Sequence, residues 1–248
     1  VIDEAHEGTR TRLGQSVIDQ LTQNKETKVL HLSGTPFNLY EDFADDQIYT
    51  WDYIKEQIAK RDWPKKHPEE PVENNPYREL PEMEIRTYDL GRIVKSKLGH
   101  GATFQFKEFF RTYQGQNIPA DKKGKFVHEE EVKQFLDLMC TEDENSHYPF
   151  STDEYRTFFN HTLWVVPGVK EAKALENLLK EHEIFGSFDA IINVAGNNED
   201  DETRQDALDK VKKHIGLYPD QTYTITISCG RLTTGVTVRP WTAVFYLK

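Results

Sequence analysis

The chain has 248 residues, 37% of them hydrophobic and 29% charged, with a formal net charge of -11. That length carries one large domain or two smaller ones with real cores, and the composition is that of a soluble globular protein. No apolar run approaches the roughly 18–20 residues of a membrane span, no charged-then-apolar leader is present, and Cys140 and Cys229 lack any disulfide-scaffold or zinc spacing, which fits a reducing cytoplasm.

The chain opens on Val1-Ile2-Asp3-Glu4-Ala5-His6, an apolar strand end running into two adjacent carboxylates and a histidine. Residues 9–24 then carry Leu13, Val17 and Leu21 at four-residue spacing, one face of a helix, with Thr9 or Thr11 as its N-cap. Val29-Leu30-His31-Leu32 is a short strand that ends in Ser33-Gly34-Thr35-Pro36. Strand, helix, strand is the alternation of an open α/β sheet, in which functional loops gather at the carboxyl ends of the strands. The acidic pair and the Ser-Gly-Thr cluster both hold that position. Ile48, Trp51, Ile54 and Ile58 predict a further helix, and residues 63–81 a loop rich in proline and charge. Residues 84–90 predict a strand.

Residues 93–157 differ in character, with Phe104, Phe106, Phe109 and Phe110 among glycine and lysine loops. A helix with Val132, Phe135, Leu136 and Met139 on one side follows. The stretch reads as a mostly helical insertion or linker. From His161 the α/β rhythm returns. Leu163-Trp164-Val165-Val166 is a buried strand, Val169, Ala172, Leu175 and Leu179 a helix stripe, and residues 188–194 a second strand. Leu208, Val211 and Ile215 mark another helix, and residues 222–228 and 242–247 two more strands, the layout of a parallel sheet.

Hydrolysing a nucleotide requires charge neutralisation at the phosphates and an oriented water, roles that suit Asp3 and Glu4. Alone, two adjacent carboxylates are an acidic turn, and Ser-Gly-Thr-Pro is an ordinary turn. Their order along one sheet edge raises them above that. His6 is a polar partner to the acids more readily than a metal ligand, since no HxH or HxxxH accompanies it.

Asp3-Glu4-Ala5-His6, followed by Leu32-Ser33-Gly34-Thr35-Pro36-Phe37, resembles motifs II and III of the superfamily-two DEAD/DEAH-box helicases, in the form of the Res-subunit-like ATPases of type III restriction enzymes. The stretch from Ser228 through Thr233, Thr234 and Gly235 to Val238 resembles motif V. The resemblance implies two RecA-like P-loop NTPase lobes, three-layer sandwiches on parallel sheets: an incomplete first lobe over 1–92, the insertion over 93–157, and a second lobe over 158–248. It implies that Asp3 holds Mg2+ through water, that Glu4 is the catalytic base, and that His6, Ser33 and Thr35 couple hydrolysis to movement. Thr233, Thr234 and Gly235 would lie at a cleft near ATP and the nucleic acid. Many relatives have aspartate where Thr237 stands, and Arg231 reads as a turn residue rather than an arginine finger.

No G-x-x-x-x-G-K-[ST] occurs anywhere in the chain, Gly124-Lys125 lacking its partners, and no arginine-rich motif VI follows. The expectation is therefore the middle of an ATP-dependent DNA motor, inactive alone, with DNA and a methyltransferase or specificity subunit as partners and no membrane. The charge of -11 and short basic clusters such as Lys65-Lys66 limit any nucleic-acid contact to local loops. Two alternatives stand beside it: a non-catalytic interaction module, and a metal hydrolase centred on Asp3, Glu4 and His6.

Overall fold

The computed structural model describes residues 1–5, 11–24, 26–87, 105–143, 147–196 and 203–248. The chain divides into two compact units, Val1–Ile85 and Arg86–Lys248. No helix among the described residues is long and apolar enough to cross a membrane.

In the first unit, helix α1 (Arg12–Leu21) starts at Thr11, whose hydroxyl accepts from the Gly14 amide at 3.1 Å. That satisfies one of the amides a helix leaves orphaned at its start. The stripe of Leu13, Val17 and Leu21 is present, but all three side chains are exposed. Helix α2 (Tyr53–Lys66) begins later than the apolar spacing predicts, because the Asp52 carboxylate caps it by accepting from Lys55 N at 2.9 Å. Ile48 and Trp51 therefore precede it. It also runs through Trp63 into the expected loop, with Pro64 in its last turn and Lys65 and Lys66 at its carboxyl end, where cations favour the helix dipole. Buried Asn75 ties the following loop back, donating to Lys60 O at 3.0 Å and accepting from Tyr77 N at 3.0 Å. Residues 84–87 form no strand, and the remainder of that predicted strand lies outside the described residues.

The second unit is an α/β fold. Strands β1 (His161–Val165), β2 (Ala190–Asn193), β3 (Thr224–Ser228) and β4 (Ala243–Tyr246) form one parallel sheet in the order β2-β3-β1-β4. β2, β3 and β4 lie within the runs predicted for them, and β1 starts two residues before its predicted run. The central pair, β1 and β3, is buried along its whole length, as expected of strands covered on both faces. Ile225 and Ile227 of β3 and Trp164 of β1 join one core with Ala172, Leu175 and Leu179 of helix α6 (Val169–Glu181). Ile192 of β2 joins a second core with Ala207, Val211 and Ile215 of helix α7 (Arg204–Ile215).

The described part of the predicted insertion belongs to this same unit. Helices α3 (Phe106–Phe109), α4 (Glu129–Met139) and α5 (Asp153–Phe158) occur here. Phe109, Phe110 and Phe126, the α4 stripe of Val132, Phe135, Leu136 and Met139, and Phe150 all pack into the core that contains Trp164 and Leu175. From the insertion side, Phe150 reaches across the join to rings of the sheet region: Phe185 at 4.9 Å between centroids, Phe245 at 5.6 Å and Trp164 at 6.1 Å. A buried hydrogen bond from Thr112 Oγ1 to Glu171 Oε1, 2.8 Å, fixes the same segment to the first turn of α6. The physical reason is area. Aromatic side chains this large reach stability only by sharing a core, and the sheet offers one. Phe150→Ala is expected to cost about 3–5 kcal/mol, read as a lower urea midpoint at unchanged slope.

His161, fully buried at the start of β1, has Nδ1 2.8 Å from Thr224 Oγ1 and Nε2 2.8 Å from the Pro219 carbonyl. A carbonyl only accepts, so Nε2 carries the proton and Nδ1 accepts from the threonine hydroxyl. Burial lowers the His161 pKa, against the opposing influence of that carbonyl and of Asp189. Since the folded value lies below the unfolded one, the stability from this group is complete above about pH 6.5, declines below it and is gone once pH has fallen through the folded value. Thermal melts at pH 7.5 and 5.5 should show a drop that a His161→Phe variant, whatever its own stability, shows less.

Candidate functional site

The first cluster is built by backbone pairing. Ile2 and His31 form a parallel bridge, with Ile2 N donating to Leu30 O at 2.8 Å and Leu32 N to Ile2 O at 2.8 Å. Ala5 N then reaches Leu32 O at 2.9 Å, so the acidic turn is tied to the residue preceding Ser33. This pairing sets Asp3-Glu4 and Ser33-Gly34-Thr35 side by side at the carboxyl ends of two parallel segments. Asp3 and Glu4 are exposed above buried Ala5, and Glu4 sits at φ 47°, a left-handed conformation uncommon outside glycine. Asp3 Oδ1 accepts from the Glu4 amide at 2.9 Å, which stabilises that turn. Ser33 Oγ accepts from Thr35 N at 3.1 Å and closes a tight hydroxyl turn ahead of Pro36. His6 lies outside the described residues.

Carboxylate and hydroxyl oxygens are hard donors, and Mg2+ takes one or two carboxylates while keeping several waters. Asp3, an exposed acid on a turn whose backbone pairs with the segment leading into Ser33, could fill that role. Among the described residues no group of three His, Cys, Asp or Glu side chains is placed to hold a metal ion, so a tight protein-only cage is not built here.

The second cluster follows β3. Ser228 Oγ accepts from Gly230 N at 3.2 Å and donates to Arg231 O, while Thr233 Oγ1 donates to Gly230 O at 2.6 Å. Leu232 has φ 64° and is buried in the second core with Ile192 and Val211. The left-handed backbone costs a branched residue roughly 1–2 kcal/mol, which the roughly 1.5–3 kcal/mol from burying a leucine offsets. Leu232 thus pins the loop, and Thr233, Thr234 and Gly235 are presented exposed at the carboxyl edge of the sheet.

One neighbour escaped sequence reasoning. A Cβ on Gly235 would lie 2.8 Å from an Nη atom of Arg204, the first residue of α7. The only signal available was the Thr203-x-x-Asp206 capping box, which places Arg204 at a helix start but not against a loop some thirty residues on. Gly235 itself has φ 62°. Gly235→Ala should therefore lower stability by about 1–2 kcal/mol, mostly backbone strain, since the guanidinium end of Arg204 can swing aside. In an Arg204→Ala background the cost should change little, which a double-mutant cycle of melting curves checks.

Comparison with known proteins returns no matching family model and no matching solved structure. One similar protein, from Mycoplasma pneumoniae (strain ATCC 29342 / M129 / Subtype 1), carries the provisional description of the C-terminus of a type II restriction enzyme and methyltransferase. It is 29% identical over 267 aligned residues, which cover 99% of this chain and 36% of the relative. The chain thus spans about a third of the length of the curated relative it matches, and the likeness runs through both units and both loops.

Proposed function

We propose that this chain is part of the ATP-driven, DNA-directed motor of a restriction–modification enzyme, working with a methyltransferase in the cytoplasm. The observation that carries the reading is the parallel pairing of residues 2–5 with 30–32, which sets Asp3-Glu4 beside Ser33-Gly34-Thr35. The relative from Mycoplasma supports the restriction–modification side. Its description as type II, with enzyme and methyltransferase together, moves the reading from a type III subunit to restriction–modification enzymes at large.

On this reading Asp3 holds Mg2+ through water, and the metal supplies neutralisation of phosphate charge. Glu4 accepts a proton from the attacking water, and its exposed position at the turn leaves it accessible to one. Ser33 and Thr35 sense the outcome through the backbone pairing to Ala5. Thr233, Thr234 and Gly235 serve the nucleotide or the DNA strand from an exposed loop held by Leu232. A second reading, an interaction module without catalysis, draws on the lack of any G-x-x-x-x-G-K-[ST] in the 248 residues.

Two measurements separate them. The 248-residue chain alone should hydrolyse ATP negligibly, having no phosphate-cradling loop of its own. The complete gene product should show DNA-stimulated hydrolysis that Glu4→Gln lowers by about 100-fold or more with nucleotide affinity kept. A complete product without ATPase activity supports the interaction module, and an undiminished rate in the Glu4→Gln protein removes Glu4 from the chemistry.

A further inference from the structure

The second unit holds a polar cavity of about 470 Å³ that none of the roles above uses. It lies against β2, the strand at one edge of the sheet, between α6 and α7. Its polar lining is Lys173, Glu176 and Lys180 of α6, Asn193 of β2, and Lys210 and His214 of α7. Among the described residues, three lysines against one carboxylate give this lining an excess of positive charge on a chain whose net charge is -11.

The cations are held in place rather than scattered. Glu176 is 7% exposed, and its carboxylate accepts from Lys173 Nζ at 2.9 Å, from Lys180 Nζ, and from Asn193 Nδ2 at 3.2 Å. Burial alone would raise its pKa, but the hydrogen bonds from Lys180, Lys173 and Asn193 outweigh burial and hold it below the ordinary value. The carboxylate is therefore charged and keeps Lys173 and Lys180 aimed at one place. An ammonium carries three N–H donors, so neither lysine is exhausted by an oxygen of Glu176. From the opposite helix, Lys210 Nζ donates to Asn193 O at 3.0 Å, and His214 Nδ1 lies 2.8 Å from Lys210 O. The rest of the lining is aliphatic or glycine. Among the described residues His214 is the one ring in the lining, its Nδ1 held against Lys210 O, and no Phe, Tyr or Trp is present as the broad platform on which a nucleoside or an unpaired strand stacks.

We propose that this cavity is a phosphodiester-binding site that grips the DNA backbone, without reading its sequence, at the edge of the sheet. Point charges with freely rotating donors, and no Phe, Tyr or Trp platform among the described lining, suit phosphate oxygens, which position a protein on DNA and carry no sequence information. The site supplies the basic surface that the overall charge denies the rest of the chain. It rests on the DNA side of the proposed function and not on ATP hydrolysis.

The test uses the 248-residue chain and a fluorescently labelled duplex of mixed sequence, with anisotropy read over a range of salt. Lys173→Gln, Lys180→Gln and Lys210→Gln together should weaken binding by about tenfold or more and make the salt dependence shallower by about one log–log unit per lysine. Replacing the same three by arginine should keep affinity. Lys170→Gln, Lys212→Gln and Lys213→Gln together remove equal charge from the same helices, outside the cavity, and should change it by less than about threefold. Circular dichroism checks that each variant is folded. If the glutamine variant misfolds, Lys210→Gln alone must weaken binding and flatten the salt slope by about one.

Equal losses from both triple variants would show a general charge effect and overturn the proposal. So would folded cavity variants that bind duplex as the parent does, in which case the lysines only blunt an open sheet edge. Calorimetric titration with inorganic phosphate forms the second arm, and tight phosphate binding without duplex binding would make this a small-anion site. A parent chain that binds no duplex at low salt overturns this site and the DNA side of the proposed function together, whereas unaffected binding by the cavity variants overturns this site alone.

Discussion

Phe150 is the contact on which the second unit depends. It has no exposed surface, and its ring packs among Phe159, Trp164, Phe185, Phe188 and Phe245. Those partners come from the segment before the sheet, from two strands, and from the turn between α6 and β2. Edge-on and offset ring contacts at these separations favour particular angles as well as burial. The cluster therefore fixes the orientation of the aromatic segment on the sheet and does more than cover it. Trp164 also turns its Nε1 to Thr162 Oγ1 at 2.9 Å, so its one polar atom is satisfied inside that core. Glu171 and Thr112 repeat the pattern nearby, a polar pair closing the join between two elements distant in sequence.

Where the chain encodes structure locally, the sequence was readable. The four strands are short apolar runs bounded by turn residues, and each was found within a residue or two of its observed ends. The α4 stripe and the Thr11 cap were legible for the same reason, because periodicity and capping act within a few residues. What depends on distant contacts was not. Phe109, Phe110 and Phe150 look like an insertion until the sheet that covers them is known. The Asp52 cap displaced the start of α2 from its apolar spacing, and residues 84–87 have strand-like alternation without forming a strand.

The candidate site divides the same way. Asp3, Glu4, Ser33 and Thr35 stand out by type and order, and the backbone pairing brings them together. Thr233, Thr234 and Gly235 stand out by motif, but what holds their loop does not. Leu232 is an unremarked leucine in sequence, and in the fold it is the anchor that accepts a left-handed backbone for the sake of burial. Arg204 is likewise silent until Gly235 is seen against it. The cationic cavity was invisible because Lys173, Lys180 and Lys210 sit on two helices, distant in sequence, that line the cavity together with β2.

The two units differ in how much holds them, and that difference bears on the acidic turn. In Val1–Ile85 the buried apolar side chains among the described residues are Ala5 and Leu39, while Leu13, Val17 and Leu21 face outward. Local opening is least costly where few apolar contacts oppose it. The amides that pair Ile2 with Leu30 and Leu32 should thus open far more readily than those of β1 and β3. A ligand that requires the closed arrangement then adds its binding free energy to the rigidity of this unit by mass action. On the proposed reading, occupancy at Asp3 and Glu4 would act as a clamp on the first unit, and order in the turn would report whether the site is filled.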